Sequence, residues 1–420
     1  MKVEDVRLKG FKSYTPVKQV KKLLSSKIKK KSAETIKTTT ALGRIVAENI
    51  KSPVNIPSFS RSAMDGYAVK AENTFGASQR NPKRLKVIDK ININEISEKR
   101  VQDNEAIQIP TGGAIPNGAN AVIKLEEVKR TNNWIEIYFP VHPFKNVSRK
   151  GEDVKKGQVI IQAGDIIRPQ EIALLLASNI MEISVTKKPT VALIATGSEL
   201  IEIGNEPQIG QIVETNTYTL YNMCELYGAF PTRLGIVKDD EFSLRKILEK
   251  ALQYDIVVFT GGSSVGEHDL IPYILNNLEK SEMLVHGIAM RPGSPTAIAI
   301  IQGTPVFCLP GFPVAAMTSF EVFVVYTIRK ILGARELDPR PVIKAVLTRQ
   351  IPSHLGRCDY VRVKVLYDEE NNRYLAEPLR TAGSGIISSA VRAMGVIEIP
   401  ENSEGYEKNS EVNVKLYLPR

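Results

Sequence analysis

Five apolar runs decide the fold: "TVALIA" (190–195), "TRLGIV" (232–237), "DIVVFT" (255–260), "TAIAII" (296–301) and "PVFCL" (305–309). Helix-spaced stretches at 217–227, 241–252 and 270–280 follow the first three, and another at 313–332 follows the last pair. Strands buried on both faces are apolar throughout, not alternately. The pattern predicts a doubly wound α/β domain over 189–334, a parallel sheet with helices on both faces.

Such sheets bind ligands beyond the carboxyl ends of their strands, and five unusual loops fall at or beside those ends. They are Thr196-Gly197-Ser198-Glu199, Lys238-Asp239-Asp240, "TGGSSVGEHD" (260–269), "MRPGSP" (290–295) and "LPGFP" (309–313). Gly261, Gly262, Ser263 and Ser264 suit a phosphate cradle, because glycine lets backbone N–H groups approach an anion; a plain turn is the competing reading. Glu199, Asp239 and Asp269 are acceptor-only groups suited to Mg²⁺ among phosphates. Asp239-Asp240 serves equally well as a helix N-cap. Arg291 supplies a cation, and Pro310 and Pro313 shape the last loop or simply open a helix.

Outside this domain the texture changes. Thr15-Pro16 reads as a cap and first turn for an amphipathic helix over 14–31, and a short helix is expected over 38–48. Residues 53–145 alternate like a β domain, with Asp65-Gly66 and the glycines after Thr111 in turns. Residues 146–188 are mixed, with Asp153 among basic residues and a helix opened by Pro169 near 169–179. Residues 335–420 return to β, with "DEENNR" (368–373) as a hairpin turn. The four parts are thus 1–52 with 146–188, 53–145, 189–334 and 335–420. There is no internal repeat.

The chain has 420 residues and a net charge of +10. That excess lies within residues 1–51, which hold 12 Lys and 2 Arg against four carboxylates; the remainder is balanced. A nucleic-acid or membrane-binding arm and the solvated face of helices are the two readings. Few aromatics interleave the lysines and no nucleic-acid motif is present, which favours the second. Three scattered cysteines and four scattered histidines show no metal-ligand spacing. No apolar run of about 18 residues and no leader segment are seen, so a cytoplasmic protein without a membrane partner is expected.

Three further strings, "SRSAMDGYAV" (60–69), "PTGGAIPNGANAVIKLEE" (110–127) and "RKGEDVKKG" (149–157), join the rim loops in an ordered series. With "VETN" (213–216), "GRCDYVRV" (356–363) and "GSGIISS" (383–389), the series resembles the molybdopterin molybdenumtransferase family, also found as the C-terminal domain of gephyrin. The resemblance implies an elongated N-terminal helical segment, an inserted β domain, a molybdopterin-binding-type α/β domain and a C-terminal β-barrel-like domain. It implies a homodimer with a shared cleft, in which Asp65 and Thr111 of one subunit approach Glu199, Asp239 and Asp269 of the other, and it makes Asp153 a further candidate catalytic residue.

It also implies the chemistry: adenylylated molybdopterin and molybdate as substrates, Mg²⁺ as cofactor, and AMP as product. The glycine turn with Ser263 and Ser264 would hold the pterin phosphate. Arg291, Pro310 and Pro313 would line the site, with Arg362 and Ser384 on the molybdate side. Four positions depart from the family's pattern: Ser148 for Arg, Ser198 for Asp, Ser294 for Lys and Phe312 for Asn. Two cations and one acid are missing from a site for anions. A tungstate-inserting paralogue and a non-catalytic cofactor-binding scaffold are the alternative readings.

Overall fold

A computed structural model describes residues 13–262, 270–379 and 385–417. The chain divides into two compact units, one of Met1–Glu34, Gly43–Ala47 and Val185–Arg420, the other of Thr35–Leu42 and Glu48–Ser184.

In the first unit, β1 (Thr190–Thr196), β2 (Phe230–Val237), β3 (Ile256–Thr260), β4 (Ser281–His286), β5 (Ala297–Ile301) and β6 (Thr304–Leu309) form one sheet in the order β2-β1-β3-β6-β5-β4. The first four strands in that order are parallel. Alternate residues face opposite ways: Val191, Leu193, Val258 and Phe307 join one core, and Ala192, Ile194, Val257 and Phe259 the other. Helices Asn216–Leu226 and Val325–Leu332 cover the first face, and Glu241–Ala251 and Leu270–Asn277 the second. This is why both registers of β1, β3, β5 and β6 are apolar, whereas β2, at the sheet edge, carries Arg233.

The all-parallel expectation fails at one edge, where β5 runs antiparallel to β6 and β4 to β5. Only Gln302 and Gly303 link β5 to β6, both with positive φ (52° and 93°). Two residues close a hairpin; a parallel crossover needs a dozen or more.

The N-terminal helix spans Val17–Lys27, later than Thr15-Pro16 suggested. Thr15 does not cap it. Its N–H donates to the Gly287 carbonyl at 3.1 Å and its carbonyl accepts from Ala289 at 2.9 Å, which holds it extended. Val17, Val20 and Leu24 enter the first α/β core. The helix expected over 38–48 is only a 3₁₀ turn, Thr38–Thr40. Gly43 (φ 74°) breaks the run, and Leu42 is exposed.

The C-terminal sheet closes on itself. Its strands are β7 (Val342–Leu347), β8 (Cys358–Asp368), β9 (Arg373–Pro378), β10 (Gly395–Ile399) and β11 (Glu411–Leu416). Pairing runs β8-β9-β7-β11-β10 and returns from β10 to β8, so five strands make a barrel. The expected hairpin turn links β8 to β9, with Asp368 opposite Arg373. Barrel and α/β domain share a buried ion network: Arg340 donates to Glu321 at 3.0 Å and to both Asp338 oxygens, and Lys415 pairs with Asp338 at 3.0 Å and Glu398 at 2.7 Å.

The second unit carries a six-stranded sheet, in the order Ala121–Lys124, Gly66–Val69, Glu105–Ile109, Lys83–Lys90, Trp134–Ile137, Val128–Thr131. Tyr67, Val69, Leu85, Ile123 and Ile135 fill its core. Gly66 opens a strand instead of sitting in a turn. A Cβ there would lie 2.0 Å from the Ile123 carbonyl oxygen, so the residue is fixed by close strand approach. Helix Pro169–Ala177 begins at the expected proline, and Glu171 accepts from the Arg168 N–H at 2.9 Å.

Candidate active site

The strand directions place the five rim loops together. Segments 196–199, 238–240, 261–262 and 310–313 follow β1, β2, β3 and β6. Because Ala297 pairs with Cys308, the segment 290–296 leads into β5 at the same end of the sheet. Ser263, Ser264, Asp269 and Ser384 lie outside the described residues.

Gly261 and Gly262 have positive φ (97° and 58°). A Cβ on Gly261 would sit 2.2 Å from the Thr196 carbonyl oxygen, so only glycine lets β1 and this turn meet so closely. The Thr196 hydroxyl is buried beside the turn and has no hydrogen-bond partner among the described residues. A buried hydroxyl in that state is a ready contact for a ligand oxygen.

Thr196 pairs with Val237, so Glu199 and Asp239 leave neighbouring strand ends. Glu199 is exposed, and its carboxylate folds over Gly197, within 2.8 Å of where a Cβ would be. The Asp239-Asp240 ambiguity resolves residue by residue. Asp240 is the N-cap of helix Glu241–Ala251, accepting from the Ser243 N–H at 2.8 Å, and that bond lowers its pKa. No cluster of three or more His, Cys, Asp or Glu placed for a metal occurs among the described residues. Two hard oxygen donors on adjacent strands, with Asp269 outside the description, fit Mg²⁺ in chemistry.

The "VETN" string is structural. Buried Glu214 accepts from the Thr217 N–H at 2.8 Å and hydroxyl at 2.6 Å, and pairs with Arg233 at 3.5 Å. Asn216 ties the rim together by donating to the Gly311 carbonyl at 2.7 Å.

Beside the rim, a cleft of about 760 Å³ lies between the α/β domain and the barrel. Arg291, Ser294, Pro310 and Phe312 line it from the rim, and Arg349 and Arg362 from the barrel. Pro313 starts the next helix and lies just outside the lining. Arg362, on β8, is 6% exposed. Its side chain has no hydrogen bond or carboxylate partner among the described residues, its Nε is buried and unsatisfied, and burial lowers its pKa. A buried guanidinium without a counter-ion is costly unless an anion completes it. Asp359, the cleft's one carboxylate among the lining residues, is paired with Arg357 at 3.0 Å. Sequence reading reached Arg362 only through resemblance, and it missed Arg349.

In the second unit, Asp65 accepts from the Thr111 N–H at 2.7 Å and hydroxyl at 3.0 Å. The Ser62 carbonyl accepts from Gly112 at 2.8 Å, Ala63 donates to Asn146 at 2.9 Å, and Ser62 pairs with Val147. The motif strings thus share one surface, with Asp153 donating from its N–H to the Ile56 carbonyl at 3.1 Å. Ser148 donates to Glu152, and Arg149 stands over the Phe144 ring at 4.9 Å.

Three comparisons bear on this geometry. Family models match along the chain: the MoeA N-terminal region (domain I and II) at 15–178, the probable molybdopterin binding domain at 192–330, and the MoeA C-terminal region (domain IV) at 344–417. A putative molybdopterin biosynthesis protein of Methanocaldococcus jannaschii is 39% identical, covering 97% of this chain and 100% of its own. A Staphylococcus aureus molybdopterin molybdenumtransferase is 34% identical over 96% and 95%. A crystal structure of the molybdopterin biosynthesis moeA protein of Pyrococcus horikoshii OT3 superimposes with a TM-score of 0.85 at 37% identity, over 96% of this chain and all of its own.

Proposed function

The chain belongs to the molybdopterin molybdenumtransferase family, and from that premise we propose how its site works. It inserts molybdenum from molybdate into adenylylated molybdopterin and releases AMP. The observation that carries this reading is Arg362: a buried guanidinium without a counter-ion among the described residues, in a cleft it shares with Arg291 beside a glycine-walled rim.

The division of labour follows from chemistry. The Gly262 N–H and the Thr196 hydroxyl take the phosphate end of the pterin, while the Gly261 N–H stays on the Leu309 carbonyl at 3.1 Å and holds the turn in place. Arg362 and Arg291 take the oxyanion through charge-assisted hydrogen bonds. Glu199, Asp239 and Asp269 would hold Mg²⁺, which would supply charge neutralisation on the pyrophosphate. The two dithiol sulfurs of the pterin bind molybdenum as their protons leave with one molybdate oxygen as water; separately, water attacks a phosphorus of the pyrophosphate link, the P–O–P bond breaks, and AMP departs. A second copy of the chain completes the cleft, its Asp65 and Thr111 facing the rim. Among the described residues no helix is long and apolar enough to cross a membrane; we place the reaction in the cytoplasm.

The test is AMP release from adenylylated molybdopterin with Mg²⁺, with molybdate and tungstate in parallel arms. Molybdate-dependent release is expected. Tight pterin binding with no AMP release under saturating substrates would identify a cofactor-binding scaffold instead, and faster release with tungstate a tungsten-inserting enzyme.

A further inference from the structure

We propose that Arg349 is a third oxyanion-binding cation of the cleft, and that it supplies from the barrel the positive charge which the segment 290–295 lacks. The inference rests on the oxyanion reading of the cleft. Arg349 follows β7, on a different segment from Arg362, and lines the same cleft as Arg291, Ser294 and Arg362. One arm of its guanidinium donates to the Pro378 carbonyl, at the end of β9. That bond pins the planar fork against the cleft wall, so less freedom is lost when an anion binds. The sole carboxylate among the lining residues, Asp359, is already paired with Arg357. Three arginines therefore act on the cleft with no uncompensated acid to oppose them.

Charge and geometry require more than Arg362 alone. A tetrahedral dianion presents four acceptor oxygens, and one buried guanidinium can face only one side of it. Arg291 and Arg349 approach from two other chain segments, and being more exposed they keep the site open to exchange. Ser294 sits on the same wall with a hydroxyl in place of a second cation. The same charge can thus be installed from either side of the cleft, which makes the role testable by exchange.

The experiment titrates the full-length protein with sodium molybdate alone by calorimetry, and measures molybdate-dependent AMP release separately. Arg349→Ala is expected to weaken molybdate about tenfold, the loss of one charge-assisted contact. Arg349→Lys should lose less, and Ser294→Lys added to Arg349→Ala should restore most of the affinity. The KM for molybdate should rise while kcat at saturation stays near its original value. Wild-type affinity in Arg349→Ala would overturn the proposal, as would a loss that neither lysine substitution restores, since that marks a structural role. If wild type binds molybdate through Arg349 but releases no AMP, the transferase reading fails and this one stands. If wild type turns over and Arg349→Ala keeps its KM, this one alone fails. Absence of molybdate binding in wild type overturns both.

Discussion

Asp65 accepts two hydrogen bonds from a single residue, the main-chain N–H of Thr111 at 2.7 Å and its hydroxyl at 3.0 Å. The contact closes the "SAMDGYA" turn onto the glycine-rich loop 46 residues later, and it fixes one carboxylate oxygen. Gly66 begins the strand that follows, with the Ile123 backbone pressed against it.

This pair separates positioning from folding. Asp65→Ala removes the acceptor of both bonds, whereas Thr111→Val removes only the hydroxyl. Because the site is exposed, each variant should cost only about 1 kcal/mol of stability or less. AMP release should fall further in Asp65→Ala than in Thr111→Val, and equal rates in the two would show that the main-chain bond is irrelevant.

Arg362 gives a trade-off between stability and binding. Arg362→Met removes a buried charge that no carboxylate balances, so the protein without substrate should gain stability, on the order of 1 kcal/mol. Molybdate binding should collapse in the same variant. Thermal unfolding with and without molybdate checks both: the variant should melt higher alone and lose the molybdate-induced rise. A lower melting point alone would show that Arg362 is structurally paired.

The network joining barrel to α/β domain should respond to pH through Glu321. Burial pushes its carboxyl up to about 7, from 4.5, against the pull of Arg340. A raised acid pKa means the folded state binds the proton more tightly. Its contribution is full below pH 4.5 and is lost as pH rises through about 7. Asp338 has the opposite sign: hydrogen bonds from Arg340 and Lys415 hold its pKa low against burial, so its contribution is lost as pH falls. Glu321→Gln should flatten the decline between pH 4.5 and 7 in urea unfolding and leave the acid limb intact. An unchanged decline would assign it elsewhere.

Much of the α/β domain was legible because its signals are local. Continuous apolar runs gave β1, β2, β3, β5 and β6, "DEENNR" gave the barrel hairpin, and Pro169 opened its helix. The parallel reading missed the β5–β6 reversal, although a two-residue Gln302-Gly303 link permits only a hairpin. β4 was missed because Ser281–His286 is an edge strand whose alternating burial carries a weak signal. The basic N-terminus was half understood. Lys27 pairs with Glu282 at 2.6 Å, Lys31 with Asp255, and Lys21 stands over the Tyr326 ring at 5.6 Å, so these lysines dock the segment onto the α/β domain.

By itself, the sequence determined most strands and helices of the α/β domain and which loops lie at its strand ends, since hydrophobic period and turn residues act over a few positions. It also carried the ordered motifs that mark the family. Tertiary structure alone decided that Asp240 caps a helix, that Glu214 is a buried brace, and that among the described residues Arg362 has no counter-ion while Asp359 does. Whether a charged group is a ligand or a strut depends on what surrounds it in space. Desolvation and pairing depend on how the whole chain packs, as with Lys31 and Asp255, 224 positions apart, and no local pattern encodes them.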